Sequence, residues 1–237
     1  MSVERNLVIS LLKLTKEGPV LIESVNKDAR IPSTVTLELL EKLQKENLIY
    51  VKPNSGEVDT TNRLKLAVKA ALLGADVEHI SDLLCWQEFE EIAAFALKNN
   101  GYTVQNNLRF KHEGKRWEID VVGCKKPLVI CIDCKHWQRA ISSSALKRIV
   151  DLQAQRTQAL ADSLPHINLK LECAKWGKAK FIPSVLSLIP STFKFYEKVP
   201  VVPVLQLQDF IRQLPAYTDS LLFFSKKLKT LSHDFQN

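Results

Sequence analysis

No window of this 237-residue chain approaches eighteen consecutive apolar residues, so no transmembrane helix is expected. The N-terminus, MSVERNLVIS, carries Glu4 early and lacks a small-residue cleavage pattern, which argues against a signal peptide. There is no internal repeat and no low-complexity stretch. A second CxxC is also missing. Cys131 and Cys134 form the only one, with Cys124 nearby, whereas zinc ribbons usually show two. In a strand over 129–135, positions 131 and 134 would also point to opposite faces, which disfavours one shared metal. An odd count of five cysteines without a secretion signal points to reduced thiols in a cytoplasm. His79, His112, His166 and His233 lack ligand-like spacing.

What is present is positive charge, unevenly placed. The net charge is +7. Residues 1–60 are net −1 and residues 61–100 net −2, whereas 101–150 carry ten Lys/Arg against four Asp/Glu and 151–237 are net +4. A concentrated positive field from residue 101 onward suits a polyanionic partner such as nucleic acid, and equally a basic solvated surface.

The periodicities divide the chain. Apolar residues at helical spacing predict helices over 3–14, 20–29 and 33–46, the last burying Val35, Leu39, Leu40 and Leu43. LIYVKPNSGEVDTT reads as a hairpin turning at Asn54-Ser55-Gly56. Three helices and a hairpin are the order of a winged helix-turn-helix, expected over residues 1–60. Residues 61–84 form a connecting helix and linker, the helix ending at Gly74. From 85 to 237 the order reads α-β-β-β-α-β-β-α, with 164–178 a loop and the stretch from Asp209 onward one or two closing helices.

The chemistry gathers at ICIDCKHW, residues 130–137. On a strand with a two-residue period, Cys131, Asp133 and Lys135 share one face. On the preceding strand Glu118, Asp120 and Val122 would share a face, so adjacent strands would bring Asp120 towards Asp133 and Lys135. Two close carboxylates repel each other, and a divalent cation removes that cost. Carboxylates suit Mg²⁺ or Mn²⁺, which can polarise a phosphoryl oxygen and help generate hydroxide. A helical wheel over 86–99 sets Glu90 at the edge of the buried stripe and Glu91 on the wet side.

Glu on a helix, Asp on a strand and Asp-x-Lys on the next resemble the PD-(D/E)xK nucleases, the restriction-endonuclease-like fold. FEEIAAFALKNNGYTV, EIDVVG and CIDCKHW are most similar to Mrr-type endonucleases and archaeal Holliday-junction resolvases, with Phe89-Glu90 and Gly101-Tyr102-Thr103-Val104 matching in type and order. The resemblance covers about 86–137. It departs at Ile119, where the family carries Pro, and at Asp133, where Glu is commoner. It implies an α/β fold, a mixed central sheet flanked by helices, after an α+β winged helix-turn-helix. It implies in-line hydrolysis of DNA phosphodiesters, leaving a 5′-phosphate and a 3′-hydroxyl. Asp120 and Asp133 would ligate Mg²⁺ or Mn²⁺ with the backbone carbonyl of Cys134. Glu90 would act directly or through a water, and Lys135 would orient the attacking water. Relatives that cut two strands act as dimers, so a homodimer in a prokaryotic cytoplasm is expected, with no membrane.

Supporting residues follow. Glu118 is a rim carboxylate, and Trp137 beside His136 is more often packing than base stacking. Lys147, Arg148 and Arg156 follow the motif on a helix and would meet DNA phosphates or face solvent. Ser33, Thr34 and Thr36 would read DNA bases from the third helix. That helix also exposes Glu38, Glu41 and Glu46, which suits a protein contact nearly as well. The open alternative to an enzyme is a DNA-binding or regulatory protein that retains the nuclease fold.

Overall fold

The computed structural model describes residues 3–60, 63–135, 142–164, 169–187 and 194–228. The chain divides into two compact units, Met1–Glu88 and Phe89–Asn237.

The first unit runs α1 (Val3–Leu14), β1 (Val20–Leu21), α2 (Ile22–Ala29), α3 (Ser33–Lys45), β2 (Ile49–Lys52), β3 (Glu57–Thr60), α4 (Arg63–Leu72) and α5 (Val77–Asp82). Its three strands form an antiparallel sheet in the order β1-β3-β2. The helix expected over 20–29 therefore begins two residues late. Val20 and Leu21 pair instead with Val58 and Glu57, and the Ile22 amide donates to the Gly56 carbonyl, which holds the segment extended.

The core stripe of α3 also differs from the expected one. Thr36, Leu40 and Leu43 are its buried residues, at i, i+4 and i+7, while Val35 and Leu39 are only half-buried. Thr36 is fully buried, with no hydrogen-bond partner for its hydroxyl among the described residues. It cannot read a base from there. It shares the buried stripe with Leu40 and Leu43. Ser33 and Thr34 are exposed, and Ser33 Oγ accepts from Asn26 Nδ2 at 3.1 Å.

Arg63 ties this unit together. Its guanidinium donates to the Leu12 and Leu83 carbonyls and the Thr15 hydroxyl, and pairs with Glu88 at 2.8 Å. Glu88 also accepts from the Cys85 amide. Removing one partner of a largely buried pair strands the other charge and several polar groups. Arg63→Met should lower unfolding stability by about 3 kcal/mol, read from the urea midpoint. An unchanged midpoint would show that the clamp contributes nothing net.

The second unit is built on a seven-stranded mixed sheet. α6 (Trp86–Asn99) leads into β4 (Thr103–His112), β5 (Lys115–Lys125) and β6 (Leu128–Lys135), an antiparallel meander. α7 (Ser143–Ser163) crosses to β7 (Lys178–Ser187), which lies parallel to β6. Then come β8 (Phe195–Tyr196), β9 (Val199–Pro203), α8 (Leu207–Tyr217) and β10 (Phe224–Lys227). The order is β4-β5-β6-β7-β9-β8, with β10 also on β7. The element order matches the α/β pattern of the sequence, and the mixed sheet flanked by helices is the one that the resemblance implied. The closing segment is not all helix, however. β9 pairs only with Val185–Ser187 of the ten-residue β7, and β10 pairs with Lys178–Phe181, covering an edge that would otherwise be open.

α7 starts cleanly because the Ser142 hydroxyl caps the Ala145 amide. Its buried residues pack against Cys131, Val122 and Phe181 in one cluster and Val185, Val199 and Val201 in another. α6 presses Leu97 onto Gly123, where a Cβ would lie 2.9 Å from Leu97 Cδ1. β6 is thus buried from Leu128 through Asp133, and only its last two residues emerge.

Candidate active site

The site forms where two strands part. β5 and β6 are paired from Lys125↔Leu128 to Val121↔Ile132, and the ladder stops there. The next residues in register are Asp120 and Asp133. β6 stays with β7 through Lys135↔Ser187, while β5 resumes pairing with β4 at Ile119↔Leu108. In the resulting fork, Asp120 Oδ2 accepts from the Cys134 amide at 2.7 Å. A side chain thus satisfies a backbone donor that the ended ladder would leave unpaired.

The β4–β5 ladder is also interrupted opposite Asp120. Asn107 has φ +50°, a left-handed conformation that Asn tolerates better than most residues. Its Nδ2 donates to Glu90 Oε2 at 3.1 Å. Glu90 is 5% exposed and Glu91 is exposed, the division expected from the α6 wheel. The strict alternation expected over 117–122 does not survive here. Ile119 and Val122 were expected on opposite faces, yet they pack in one apolar cluster. The break at Asn107 and Asp120 lies between them.

Asp133 is 1% exposed, and its carboxylate meets two cations. Arg156 Nη1 donates to Oδ1 at 2.6 Å, and Lys135 Nζ lies 3.0 Å from the carboxylate. Oδ2, 3.0 Å from the Lys135 ammonium, accepts no well-directed hydrogen bond among the described residues. Arg156, expected at a DNA phosphate, thus has its guanidinium on a buried aspartate. One turn earlier on α7, Gln153 Nε2 donates to the Cys131 carbonyl at 2.7 Å, fixing the helix over β6. Lys147 and Arg148 are exposed on the same helix. His136 and Trp137 lie outside the described residues.

Electrostatics reflect the crowding. Burial pushes the Asp120 carboxyl above its ordinary range, the Cys134 amide opposes this, and the charge of Asp133 adds to it. Burial likewise raises Glu90; Asn107 opposes, and Asp120 and Glu118 push further. Burial and three nearby carboxylates drive the Cys134 thiol well up. Burial also raises the Cys131 thiol. Glu118 turns outward to pair with Arg109 at 3.1 Å. Among the described residues no group of three or more His, Cys, Asp or Glu could by itself hold a metal ion.

Residues 86–184 match the NERD family, the nuclease-related domain. The match supports a nuclease-like superfamily for this unit and spans every residue of the fork. An uncharacterized protein of Archaeoglobus fulgidus is 29% identical over 133 residues, 56% of this chain and 93% of that protein. Among solved structures, Can2 from Sulfobacillus thermosulfidooxidans, in complex with cyclic tetra-adenylate, is 17% identical over 76% of this chain and 44% of that one, TM-score 0.37. VC1899 from Vibrio cholerae is 12% identical over 92% and 52%, TM-score 0.38. A protein of unknown function, AF1548, is 14% identical over 42% and 46%, TM-score 0.29. This chain spans about half the length of each solved structure. No helix among the described residues is long and apolar enough to cross a membrane.

Asn107, Gln153 and the inward turn of Arg156 were not read from the sequence. Asn106-Asn107 in the middle of a strand was the available signal, because asparagine is depleted in strands and enriched at positive φ. A carboxyl raised by burial favours the folded state when protonated, so it costs stability as pH climbs through its elevated value. In EDTA, Glu90→Gln should raise the melting midpoint at pH 8 by about 2–4 °C, with the gain vanishing near pH 4. A pH-independent difference between the two proteins would contradict this reading of Glu90.

Proposed function

We propose that this chain is a metal-dependent DNA endonuclease, with a winged helix-turn-helix ahead of a restriction-endonuclease-like unit of the Mrr and resolvase kind. One observation carries the reading: the buried Asp133 carboxylate, with only the Lys135 ammonium beside its Oδ2, next in register to Asp120 in the strand fork. These residues fit a hard divalent cation. Mg²⁺ takes few protein ligands and fills its shell with water and phosphate oxygens, so two carboxylates suffice. Asp120 and Asp133, with the Cys134 carbonyl and with Glu90 directly or through a water, would hold Mg²⁺ or Mn²⁺, which supplies phosphoryl polarisation and water activation.

The chain's own groups do the rest. The Lys135 ammonium, 3.0 Å from Asp133, has further donors with which to hold the attacking water in line. The same charge then offsets the negative charge that develops on the phosphate oxygens. Asn107 holds the Glu90 carboxylate in place. Hydrolysis leaves a 5′-phosphate and a 3′-hydroxyl. Lys147 and Arg148, exposed on α7, would take flanking phosphates. Cutting both strands of duplex or branched DNA calls for two copies, hence a homodimer.

The order of α1, β1, α2, α3 and the β2–β3 hairpin supports a winged helix in the first unit. Base reading falls to Ser33 and Thr34, since Thr36 is buried. The net −1 of residues 1–60 favours a protein contact for this domain as strongly as a DNA contact.

A second reading has its own observation. Lys135 and Arg156 already neutralise Asp133, which favours a DNA-binding protein that keeps the fold without catalysis. Cleavage separates the two. The purified protein, given Mg²⁺ or Mn²⁺ with linear, single-stranded, flapped, methylated and four-way-junction DNAs, should cut at least one. Asp120→Ala and Lys135→Ala should each lower the rate by about 10²-fold or more. No cleavage of any substrate, or equal cleavage by the variants, would overturn the enzyme reading. Tight, salt-sensitive binding without cleavage would install the second.

A further inference from the structure

Beside the fork lies a groove of about 670 Å³, walled by the outer half of the β4–β5 hairpin and by α7. Arg109, Lys111, Lys115, Arg116 and Trp117 line the hairpin side, and Leu152 and Arg156 the helix side. Glu118 is its one acid, and Arg109 occupies it. Lys111, Lys115 and Arg116 have no carboxylate partner among the described residues. Like charges left together repel and destabilise the fold, and a polyanion relieves that cost.

Trp117 adds two observations. The Lys115 ammonium sits 3.8 Å from its ring centroid, held over the aromatic face. Its indole N–H is buried and has no hydrogen-bond partner among the described residues. The exposed Lys111, Lys115 and Arg116 decide the chemistry, and what fits them is an extended polyanion.

Arg156 joins the groove to the fork. The same residue lines the groove and lies 2.6 Å from Asp133. A ligand lying in the groove would therefore end against the candidate acidic residues.

We propose that this groove binds the phosphodiester backbone of the nucleic-acid strand and leads it into the fork. The inference rests on the nucleic-acid reading of this unit but not on catalysis. Duplex and single-stranded DNA present the same backbone, and binding to each tells them apart.

The test uses the full-length protein in EDTA, with fluorescence anisotropy of a labelled duplex and a labelled single strand across a salt series. Lys111→Gln with Arg116→Gln, both at exposed positions, should weaken binding about tenfold at 100 mM salt. The log–log salt slope should fall by about 1.8 on duplex, or about 1.4 on a single strand, for two lost phosphate contacts. Lys175→Gln, exposed and outside the groove lining, should keep the wild-type affinity and slope. No wild-type binding to either DNA at 50 mM salt overturns the proposal, and so does a double variant that matches the wild type in affinity and slope. Cleavage is not read in EDTA. A protein that never cuts DNA can therefore still uphold the groove, and one that cuts but ignores these substitutions removes it.

Discussion

Burying the Asp133 carboxylate is the constraint on which the second unit depends. A carboxylate taken out of water costs several kcal/mol unless cations and donors compensate. Here the compensation comes from two elements: β6 supplies Lys135, and α7 supplies Arg156 while its Gln153 pins it to the Cys131 carbonyl. The helix that crosses from β6 to β7 is thus held at the point where its strand carries the charge. A buried ion pair is weak support for stability alone, because apolar residues often fill such a space as well. Asp120 and the left-handed Asn107 lie at the same interruption of the sheet.

The fork translates that constraint into geometry. Each strand keeps one partner, β5 with β4 and β6 with β7, so both aspartates gain room without unravelling the sheet. Asp120 repairs the opening by accepting the Cys134 amide. Burial raises the Asp120 and Glu90 carboxyls, so a negative charge on either is costly to hold there. Arg156 lines the basic groove and pairs with Asp133, so it is the residue that both features share.

Much of this was legible in the sequence, for definite reasons. The helical stripe of 86–99 set Glu90 inward and Glu91 outward because burial follows a 3.6-residue period. The apolar run from Leu128 marked β6, since a strand covered on both faces is apolar throughout. What was not legible depended on partners distant in sequence. Val20-Leu21 is a strand only because Val58 lies opposite, and β10 exists only because β9 leaves part of β7 uncovered. Thr36 looked like a polar residue at the start of a recognition helix, and its burial was decided by the leucines four and seven positions on. The expected two-residue alternation failed at Asp120, where the site interrupts the ladder.

The central claim is that the Asp120–Asp133 fork holds a divalent cation. Electron paramagnetic resonance of free Mn²⁺, titrated with the metal-free protein, tests it without requiring a substrate. The account predicts that the wild type removes Mn²⁺ from the free signal, that Mg²⁺ competes for the same site, and that Asp120→Asn and Asp133→Asn both abolish the uptake. A free Mn²⁺ signal that the wild-type protein leaves unchanged, or that both variants reduce equally well, would contradict it.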